Sequence, residues 1–327
     1  MKSKKEKAIP MLRTIPDDMQ VFSLLNLDYR ITKRIIMENY INFYSFRELE
    51  YNYIVLRFED FMNVGNFEGI DHCFIPIDIM KEYSYDLRII KELIERGYLI
   101  TLPVSRRDIP FYTEEPEGGH LITIYGIEKE IFLCKDFKGH DFIEFEVSIK
   151  EMQNGLFNYH RMYPKESGGL LAMRLNDNCD TKIDYSKVFS QFWKLKQDYF
   201  TDNHGFGIGA LNLVAVDIKE RYKDFFNPNS WYDNANYMRE SSKLMNIRYD
   251  ILQEEIKGDK NSEGRLMLEK LEKDTEKLFF NIEKKIYKGK ELTRAEFEKF
   301  YYLFWECKED FRKIAELFCR EIEQYLK

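Results

Sequence analysis

Gly118-Gly-His120-Leu-Ile-Thr-Ile-Tyr-Gly126, followed by Ile131-Phe-Leu-Cys-Lys-Asp136, is the stretch that decides the fold of this chain. Both halves are rich in β-branched and aromatic residues, and a short polar segment separates them, which predicts two strands joined by a turn. His120 stands at the start of the first strand and Asp136 at the end of the second. We therefore expect the imidazole and the carboxylate to lie side by side, as the base and its orienting acid do in a nucleophilic triad.

The segments on either side of this strand pair continue the pattern of a mixed α and β domain. In chain order we predict a helix, a strand and a proline-bearing polar loop before the pair, and two strands after it: residues 85–96, 98–104, 105–119, 142–147 and 170–174. The helix has its apolar positions on one face and is followed by Gly97, a residue that commonly ends helices. Strict alternation in residues 142–147 is typical of a half-buried strand. These segments together predict an antiparallel sheet.

The character of the sequence changes to helix throughout from about residue 184. Five helices are expected there: residues 185–199, 209–225, 231–256, 262–287 and 293–325. The last one is preceded by Thr293 and Glu296, which together have the pattern of a capping box. Residues 17–60 also carry helical spacing of apolar positions. We predict an α+β fold with a disordered N-terminus, an α+β domain and an all-helical domain at residues 1–12, 13–180 and 184–327.

The composition excludes several classes of function. The formal net charge of −7 argues against nucleic acid as the main partner, because nucleic-acid-binding proteins carry basic surfaces. No apolar stretch is long enough to span a bilayer. The five cysteines are an odd number with no CxxC pair, which is typical of a reducing, cytoplasmic compartment. The histidines and cysteines lack the spacing of a zinc site, so we expect neither a metal nor a cofactor.

The order helix, strand, proline-bearing loop, His strand and Asp strand resembles the papain-like fold. More narrowly, it is similar to the bacteriocin-leader cysteine peptidases and to the N-terminal domain of the butirosin biosynthesis protein H family. The residues that carry this resemblance are Gly97–Val104, Ile109-Pro-Phe-Tyr112, Gly119–Gly126 and Ile131–Asp136. The resemblance is fullest over residues 85–150, and it implies that the first domain is papain-like.

The resemblance also implies a chemistry. In that family a cysteine at the start of the first long helix attacks the carbonyl of a carrier-protein thioester or a peptide, and the histidine takes its proton. Its members are acyltransferases, amide-forming enzymes or peptidases of bacterial secondary metabolism. By this resemblance His120 is the general base and Asp136 its orienter. The implied partners are an acyl or peptidyl carrier protein and a small-molecule amine acceptor.

The sequence departs from the family pattern at the nucleophile, because no cysteine precedes Cys73. Ser23 is the candidate that the N-terminal region offers, although a hydroxyl is much harder to ionise than a thiol. Gln20, three residues earlier, has a side-chain N–H that can point at a developing oxyanion. The structural alternative for Ser23 is a helix N-cap, for which serine is a preferred residue. Cys73 falls in the predicted connection before the first sheet-associated helix.

Three functions remain open on the sequence alone. The chain is either an acyl or peptidyl transferase, or a catalytically inactive relative that serves as a binding or scaffolding subunit. The missing N-terminal cysteine supports the second hypothesis. A third possibility is an interaction module with no active site. Since carrier proteins are acidic, the run Arg30, Lys33 and Arg34 is a candidate docking patch, with a solvated helix face as its alternative.

The second half of the chain contains one glycine-rich segment and one segment rich in polar and aromatic residues. His204-Gly-Phe-Gly-Ile-Gly209 precedes a predicted helix, but no strand is predicted before it and it lacks the lysine of a phosphate-binding loop, so we interpret it as a loop entering that helix. Residues 231–240 are dense in polar and aromatic side chains. They either line a pocket between the two predicted domains or hold helices together, and the sequence does not distinguish these roles.

Overall fold

A computed structural model describes residues 29–48, 53–58, 70–112, 117–138, 141–164, 168–176, 179–221, 228–256, 263–288 and 293–327. These residues form two compact units. The sheet unit contains residues 70–180, and the helical unit combines residues 29–58 with residues 181–327. The predicted disordered stretch, residues 1–12, lies outside the described residues.

Helices and strands alternate in the first half of the chain, and helices dominate the second. In chain order the elements are α1 (Tyr29–Glu38), β1 (Phe43–Glu48), β2 (Tyr53–Phe58), β3 (Ile70–Pro76), α2 (Ile77–Glu82), α3 (Arg88–Glu95), β4 (Leu99–Ser105), β5 (Gly119–Glu128), β6 (Ile131–Lys138), β7 (Asp141–Ser148), α4 (Ile149–Met162), β8 (Gly169–Leu175), α5 (Tyr185–Leu195), β9 (Asp198–Phe200), β10 (His204–Gly207), α6 (Ile208–Arg221), α7 (Pro228–Ile256), α8 (Glu263–Tyr287) and α9 (Arg294–Leu326). Two short 3-10 turns, Arg106–Asp108 and Pro110–Tyr112, follow β4. The predicted α+β class, with antiparallel strands first and a helical region after them, is confirmed.

The sheet unit is built on a six-stranded antiparallel sheet, called here the main sheet, with strand order β3-β8-β4-β5-β6-β7. Side chains alternate between its two faces, since successive residues of a strand point in opposite directions. One face carries the fully buried Ile100, Leu102 and Val104 of β4. Helices α3 and α4 pack on this face and complete the core. The face that they cover also carries His120.

Helix α3 ends as its sequence predicts. Gly97 has a φ of +81°, a left-handed conformation that glycine adopts without steric cost. The N–H of Gly97 donates to the carbonyl of Ile94 at 2.9 Å, and the N–H of Tyr98 donates to that of Leu93 at 3.0 Å. This pair of bonds satisfies two carbonyls at the end of the helix and turns the chain directly into β4.

The helical unit contains a second, four-stranded sheet with strand order β2-β1-β10-β9, on which helix α6 packs. The N-terminal strand β1 pairs with β10, with Tyr44 opposite Phe206. The guanidinium of Arg248 in α7 is fully buried and donates to the carbonyls of Ile36 at 2.7 Å and Tyr40 at 2.9 Å, at the end of α1. Residues 29–58 are therefore bound to the C-terminal part of the chain by backbone pairing and by a buried charge.

This grouping differs from the domain boundaries expected for residues 13–180. The boundary near residue 180 appears in the structure, but residues 29–58 belong with the helical unit because β1 pairs with β10. Within the described part of residues 17–60, the helical pattern corresponds to a helix in α1. Residues 43–48 and 53–58 are strands, and the predicted connection around Cys73 is the strand β3.

The five helices expected in the second half are present, with ends that differ by a few residues. The capping box of α9 is confirmed: the Glu296 N–H donates to Thr293 Oγ1 at 3.3 Å, and the Thr293 N–H donates to Glu296 Oε2 at 3.0 Å. No helix within the described ranges combines the length and the apolar character needed to cross a bilayer.

The glycine-rich segment at residues 204–209 is a strand that leads directly into a helix, not a loop. His204 to Gly207 form β10, and α6 begins at the next residue. A Cβ atom on Gly209 would lie 2.2 Å from the carbonyl oxygen of Tyr199 in β9. Close packing of α6 on β9 therefore accounts for this glycine without any bound phosphate.

Residues 231–240 hold the helical unit together. Strand β2 lies at the edge of its sheet, and side chains cover the backbone groups of that edge. Asn234 accepts from the Leu56 N–H at 2.8 Å and donates to the Ile54 carbonyl at 2.9 Å. Asp217 in α6 accepts from the Ile54 N–H at 3.1 Å. These bonds protect an edge that would otherwise be open to pairing with another strand.

Candidate active site

The main sheet carries His120 and Asp136 on its helix-covered face. His120 is opposite the buried Val104, and its neighbour on the same face of β5 is Ile122. Asp136 follows Cys134 on the same face of β6, two residues further along the strand. The alternation of side chains thus places the polar pair where the apolar rows of both strands end.

The imidazole of His120 and the carboxylate of Asp136 are in direct contact. The distance from His120 Nε2 to Asp136 Oδ2 is 2.6 Å. The His120 side chain is 29% exposed, whereas that of Asp136 is 10% exposed. The pair therefore has one member open to solutes and one held in the interior, as a base and its orienting acid require.

Tyr112 is a third member of the site that the sequence analysis did not assign. Its hydroxyl donates to the same Asp136 Oδ2 atom that the imidazole contacts. The Tyr112 side chain is almost completely buried, and its ring meets the His120 ring edge-on with centroids 5.1 Å apart. Phe111, the preceding residue, stacks on Phe145 of β7 at 4.0 Å. The proline-bearing turn is thus anchored to the sheet, and it brings a donor to the buried carboxylate.

Arg106 is the fourth member, and it contacts the other side of the imidazole. Its Nη2 atom lies 3.1 Å from His120 Nδ1. A guanidinium stays protonated and can only donate, so His120 Nδ1 must be the acceptor in this contact. The proton of the neutral ring is then on Nε2 and points at Asp136. The contacts therefore assign one tautomer of His120, with its accepting lone pair on Nδ1.

This tautomer is the one that proton transfer at Nδ1 requires. A neutral imidazole with Nε2–H bound to a carboxylate can accept a proton at Nδ1, and the carboxylate then stabilises the imidazolium. In the arrangement described here, however, the Nδ1 lone pair receives the Arg106 guanidinium. The geometry therefore combines an imidazole whose Nε2 contacts a carboxylate with a cation at Nδ1, the nitrogen that would receive a proton.

Gly119, the second glycine before His120, has a packing role. A Cβ atom on Gly119 would lie 2.5 Å from the ring of Tyr159 and 2.9 Å from that of Tyr163. The Gly119 N–H also donates to the Tyr163 hydroxyl at 3.2 Å. Any larger residue would push these rings, both attached at the end of α4, away from the start of β5. The absence of a side chain at Gly119 therefore allows the start of β5, which carries His120, to pack closely against the end of α4.

The predicted nucleophile and oxyanion residues, Ser23 and Gln20, lie outside the described residues. Cys73 is far from the histidine, because β8 and β4 separate its strand from β5. Its row across the sheet reaches Ile124, four residues from His120, so sheet spacings put the two residues roughly 20 Å apart. Among the described residues, the hydrogen-bonding partners of the His120 ring are Arg106 and Asp136.

Cys134, which shares β6 with Asp136, has no nucleophilic character. Its side chain is fully buried. Burial, with a smaller effect of the Asp136 carboxylate, raises the pKa of the Cys134 thiol well above its ordinary value. Because the thiolate is the reactive form of cysteine, this thiol is inert at neutral pH and serves as a small core residue.

A second histidine cluster joins the helices of the sheet unit. The Tyr85 hydroxyl lies 2.8 Å from His160 Nδ1, and His160 Nε2 lies 3.4 Å from Asp78 Oδ1. Burial, followed by the Asp78 charge, raises the pKa of Tyr85. A tyrosine with a raised pKa is a poor nucleophile. The cluster therefore has a structural role, because its contacts connect α2, the following turn and α4.

The basic run Arg30, Lys33 and Arg34 is not a uniform solvated patch. Arg34 is buried and its Nε atom lies 2.9 Å from Glu38 Oε1. Lys33 Nζ lies 2.7 Å from Glu254 Oε2 of α7. The charges of Lys33 and Arg34 are thus engaged inside the helical unit, which weakens the case for this run as a docking patch for an acidic carrier protein.

No three His, Cys, Asp or Glu side chains converge to form a metal site in the part of the chain that the structure describes. Comparison with the models of known protein families finds no match to this chain, and comparison with curated proteins finds none either.

Proposed function

We propose that this protein is a papain-like acyl or peptidyl transferase of bacterial secondary metabolism that acts on a thioester or peptide carbonyl. His120 is the general base, Asp136 its orienter and Tyr112 the donor that holds the carboxylate. The single observation that supports this function best is the 2.6 Å contact between His120 Nε2 and the buried Asp136 Oδ2. It supplies the oriented imidazole that nucleophilic catalysis at a carbonyl needs.

The proposed reaction has two halves. The hydroxyl oxygen of the nucleophile bonds to the carbonyl carbon while its proton passes to His120 Nδ1. The carbon–sulfur or carbon–nitrogen bond then breaks, and the imidazolium returns the proton to the leaving group. An acceptor amine next attacks the ester that has formed and gives its proton to His120. The hydroxyl group of the nucleophile is regenerated as the amide product leaves.

Ser23 is the proposed nucleophile, and the Gln20 amide is the proposed oxyanion donor. Both are assigned by their place in the sequence ahead of the sheet, where the resembling family has its cysteine. The proposed donor is an acyl or peptidyl carrier protein, and the proposed acceptor is a small-molecule amine. We place the protein in the cytoplasm, because its five cysteines are free thiols.

The test is an acyl-transfer assay with the full chain. Acyl-loaded carrier protein, or an acyl N-acetylcysteamine thioester, is incubated with primary amines, and amide and thiol products are followed by mass spectrometry. H120A is expected to lower the rate about 10²–10⁴-fold, the usual contribution of general acid–base catalysis. H72A is the matched control, because His72 is an exposed residue of β3. An acyl adduct mapped to Ser23 would identify the nucleophile.

Equal rates for H120A and H72A would refute the catalytic role of His120. No amide product from any donor, with an intact fold, would refute the transferase.

A second function is favoured by the Arg106 contact. With the guanidinium on Nδ1, 3.1 Å away, the imidazole cannot take a proton, which suits an inactive relative that binds a carrier protein or partner enzyme. In that case carrier protein binds the wild-type chain and H120A equally in calorimetry, and neither protein turns over. Turnover that depends on His120 would exclude this alternative.

A further inference from the structure

We propose that strand β3 is the interface between two copies of this chain. In the dimer the two β3 strands lie antiparallel about a two-fold axis at Cys73, and they join the two main sheets into one. The interface lies in the sheet unit and stands independently of the proposed function.

Strand β3 is the end strand of the main sheet, and no described strand pairs with its outer edge. Its seven residues, Ile70–Pro76, all pair with β8 on the other side. An edge of this length presents a row of backbone N–H and C=O groups on which a further strand can form. In the second sheet, by contrast, Asn234 and Asp217 bind the edge of β2. The edge of β3 is therefore suited to the addition of a strand.

The direction of the backbone groups of β3 follows from one hydrogen bond. The Ile77 N–H donates to the Gly168 carbonyl at 2.9 Å, so this residue pair, which continues the register of β3 and β8, is a hydrogen-bonded one. Hydrogen-bonded and non-hydrogen-bonded pairs alternate along an antiparallel ladder. Cys73, four residues before Ile77, therefore turns its N–H and C=O to β8, whereas His72 and Phe74 turn theirs outward.

These directions select the register of a second β3 strand. Outward groups of one copy must meet outward groups of the other, which sets His72 opposite Phe74 of the partner subunit and Cys73 opposite Cys73 of the partner subunit. All seven residues of β3 then overlap. A shift of one residue brings groups already bonded to β8 against outward ones, and a shift of two shortens the overlap. The strand is thus complementary to itself, as a two-fold interface requires.

The side chains of β3 also favour this pairing. Phe74 is 52% exposed, so a second copy would shield its ring from water. Asp71, the acidic residue of the strand, lies opposite Ile75 of the partner subunit in this register, so no like charges meet. Within one chain the Asp71 carboxylate accepts from Arg174 Nη2 at 3.2 Å and from Asn176 at 2.9 Å. Its charge is therefore balanced inside each copy.

The first measurement is sedimentation of the full wild-type chain, which is expected to have the mass of two chains. Cys73 then reports the register. Residues in a non-hydrogen-bonded antiparallel pair have Cα atoms about 4.5 Å apart, within the roughly 4.4–6.8 Å that disulfides span. Diamide, which takes up the two protons and two electrons of a pair of thiols, is expected to link the copies through Cys73. Non-reducing electrophoresis and mass spectrometry of the linked peptides measure this.

Two serine variants control the cross-linking. C73S is expected to abolish the link and to leave the mass at two chains. C179S is the matched control and should cross-link as the wild type does, since Cys179 is the other thiol that is not buried.

F74P tests the edge itself. The Phe74 N–H points outward, so proline here removes a donor from the interface and none from the pairing with β8. The dissociation constant of the dimer is expected to rise about 10- to 100-fold, because two symmetric hydrogen bonds are lost. F74T lacks the same ring but keeps the N–H, and it should raise the constant less. A thermal melt followed by circular dichroism shows whether F74P is folded, and the Cys73 link decides the question if it is not.

A wild-type chain that sediments as a monomer at every concentration would overturn the proposal. So would a dimer that a folded F74P does not weaken, because the contact would then not use the edge of β3. A dimer that diamide does not link through Cys73 would refute the two-fold axis at this residue. None of these results bears on acyl transfer, so the interface and the proposed function fail separately.

Discussion

Asp136 is a carboxylate held away from water, and its two hydrogen-bond donors meet on one oxygen. Burial of a charge is costly unless donors replace the lost water. Here the His120 N–H and the Tyr112 O–H provide that replacement. A histidine can rotate away or change tautomer, whereas Tyr112 is locked by packing. We infer that Tyr112 is the positioning residue that keeps the carboxylate aimed at His120.

Replacement of Tyr112 by phenylalanine tests this inference. Y112F keeps the ring and its packing but removes the donor, so the buried carboxylate loses a charge-assisted bond. The free energy of unfolding should fall by about 1.5–3 kcal/mol in urea denaturation. The ring-nitrogen NMR signals of His120 should also move, because its acid partner is less restrained. This second readout distinguishes positioning from simple stabilisation.

Y83F is the control for that experiment, since the Tyr83 side chain is 71% exposed. Its effect on the unfolding free energy should stay within about 0.5 kcal/mol, as is usual for surface substitutions. If Y112F leaves both the stability and the His120 signals at wild-type values, the hydroxyl has no positioning role.

At the scale of whole elements, helix α9 depends on the cap at its N-terminus. Glu296 accepts hydrogen bonds from Thr293, and its Oε1 lies 2.5 Å from Lys285 Nζ of α8. The Lys285 hydrogen bond first, and then the bonds from Thr293, lower the pKa of Glu296 to about 2 from its ordinary value of 4.5. The ionised carboxylate thus caps one helix and joins it to another.

A pH dependence follows from this lowered pKa. The folded pKa lies below the unfolded one, so the contribution of Glu296 is complete above about pH 4.5 and is lost as the pH falls towards 2. E296Q should therefore melt below the wild type at pH 6, and the difference in Tm should shrink towards zero in acid. E298Q, on the same helical turn, is the control and should show no such convergence. A difference in Tm that does not change with pH would contradict the prediction.

Whether the sequence predicts a helix or strand correctly depends on how that element is buried, because burial of one face produces a periodic pattern and burial of both faces removes it. Strands β4 to β8 were predictable because turns and glycines bound them and because β7 alternates cleanly. Strand β2, Tyr53–Phe58, was not, because its three consecutive apolar residues Ile54–Leu56 are all buried, so they have no period to distinguish strand from helix. The capping box at Thr293 was predictable because it is a contact between residues three apart.

The same distinction applies to the candidate site. The contact of His120 with Asp136 follows from a hairpin, in which the start of one strand meets the end of the next. Arg106 and Tyr112 reach the site from 3-10 turns, whose path no periodicity reveals. Their signal in the sequence was only their place in the proline-bearing loop between two strands. The nucleophile belongs to a part of the chain where residue pattern alone supports Ser23.

For the whole molecule, chain order and structural grouping do not coincide. All six strands of the main sheet lie within residues 70–175, together with the helices that cover its core. The helical unit instead needs two separate pieces of chain. Residues 29–58 provide α1, β1 and β2, and without them β10 loses its pairing with β1 and the buried Arg248 loses the carbonyls of Ile36 and Tyr40.

Fragments should therefore differ in their ability to fold. Residues 64–180 expressed alone are expected to unfold cooperatively, because the fragment contains all six strands of the main sheet and the described residues of its core. Residues 181–327 alone should lack a cooperative transition, since the buried Arg248 would lose the carbonyl acceptors of Ile36 and Tyr40 and β10 would be an open edge. Thermal circular dichroism and amide NMR dispersion measure both. Co-expression of residues 1–63 with residues 181–327 should restore cooperative unfolding, and a stable, cooperative 181–327 fragment without that partner would show that the N-terminal strands are dispensable.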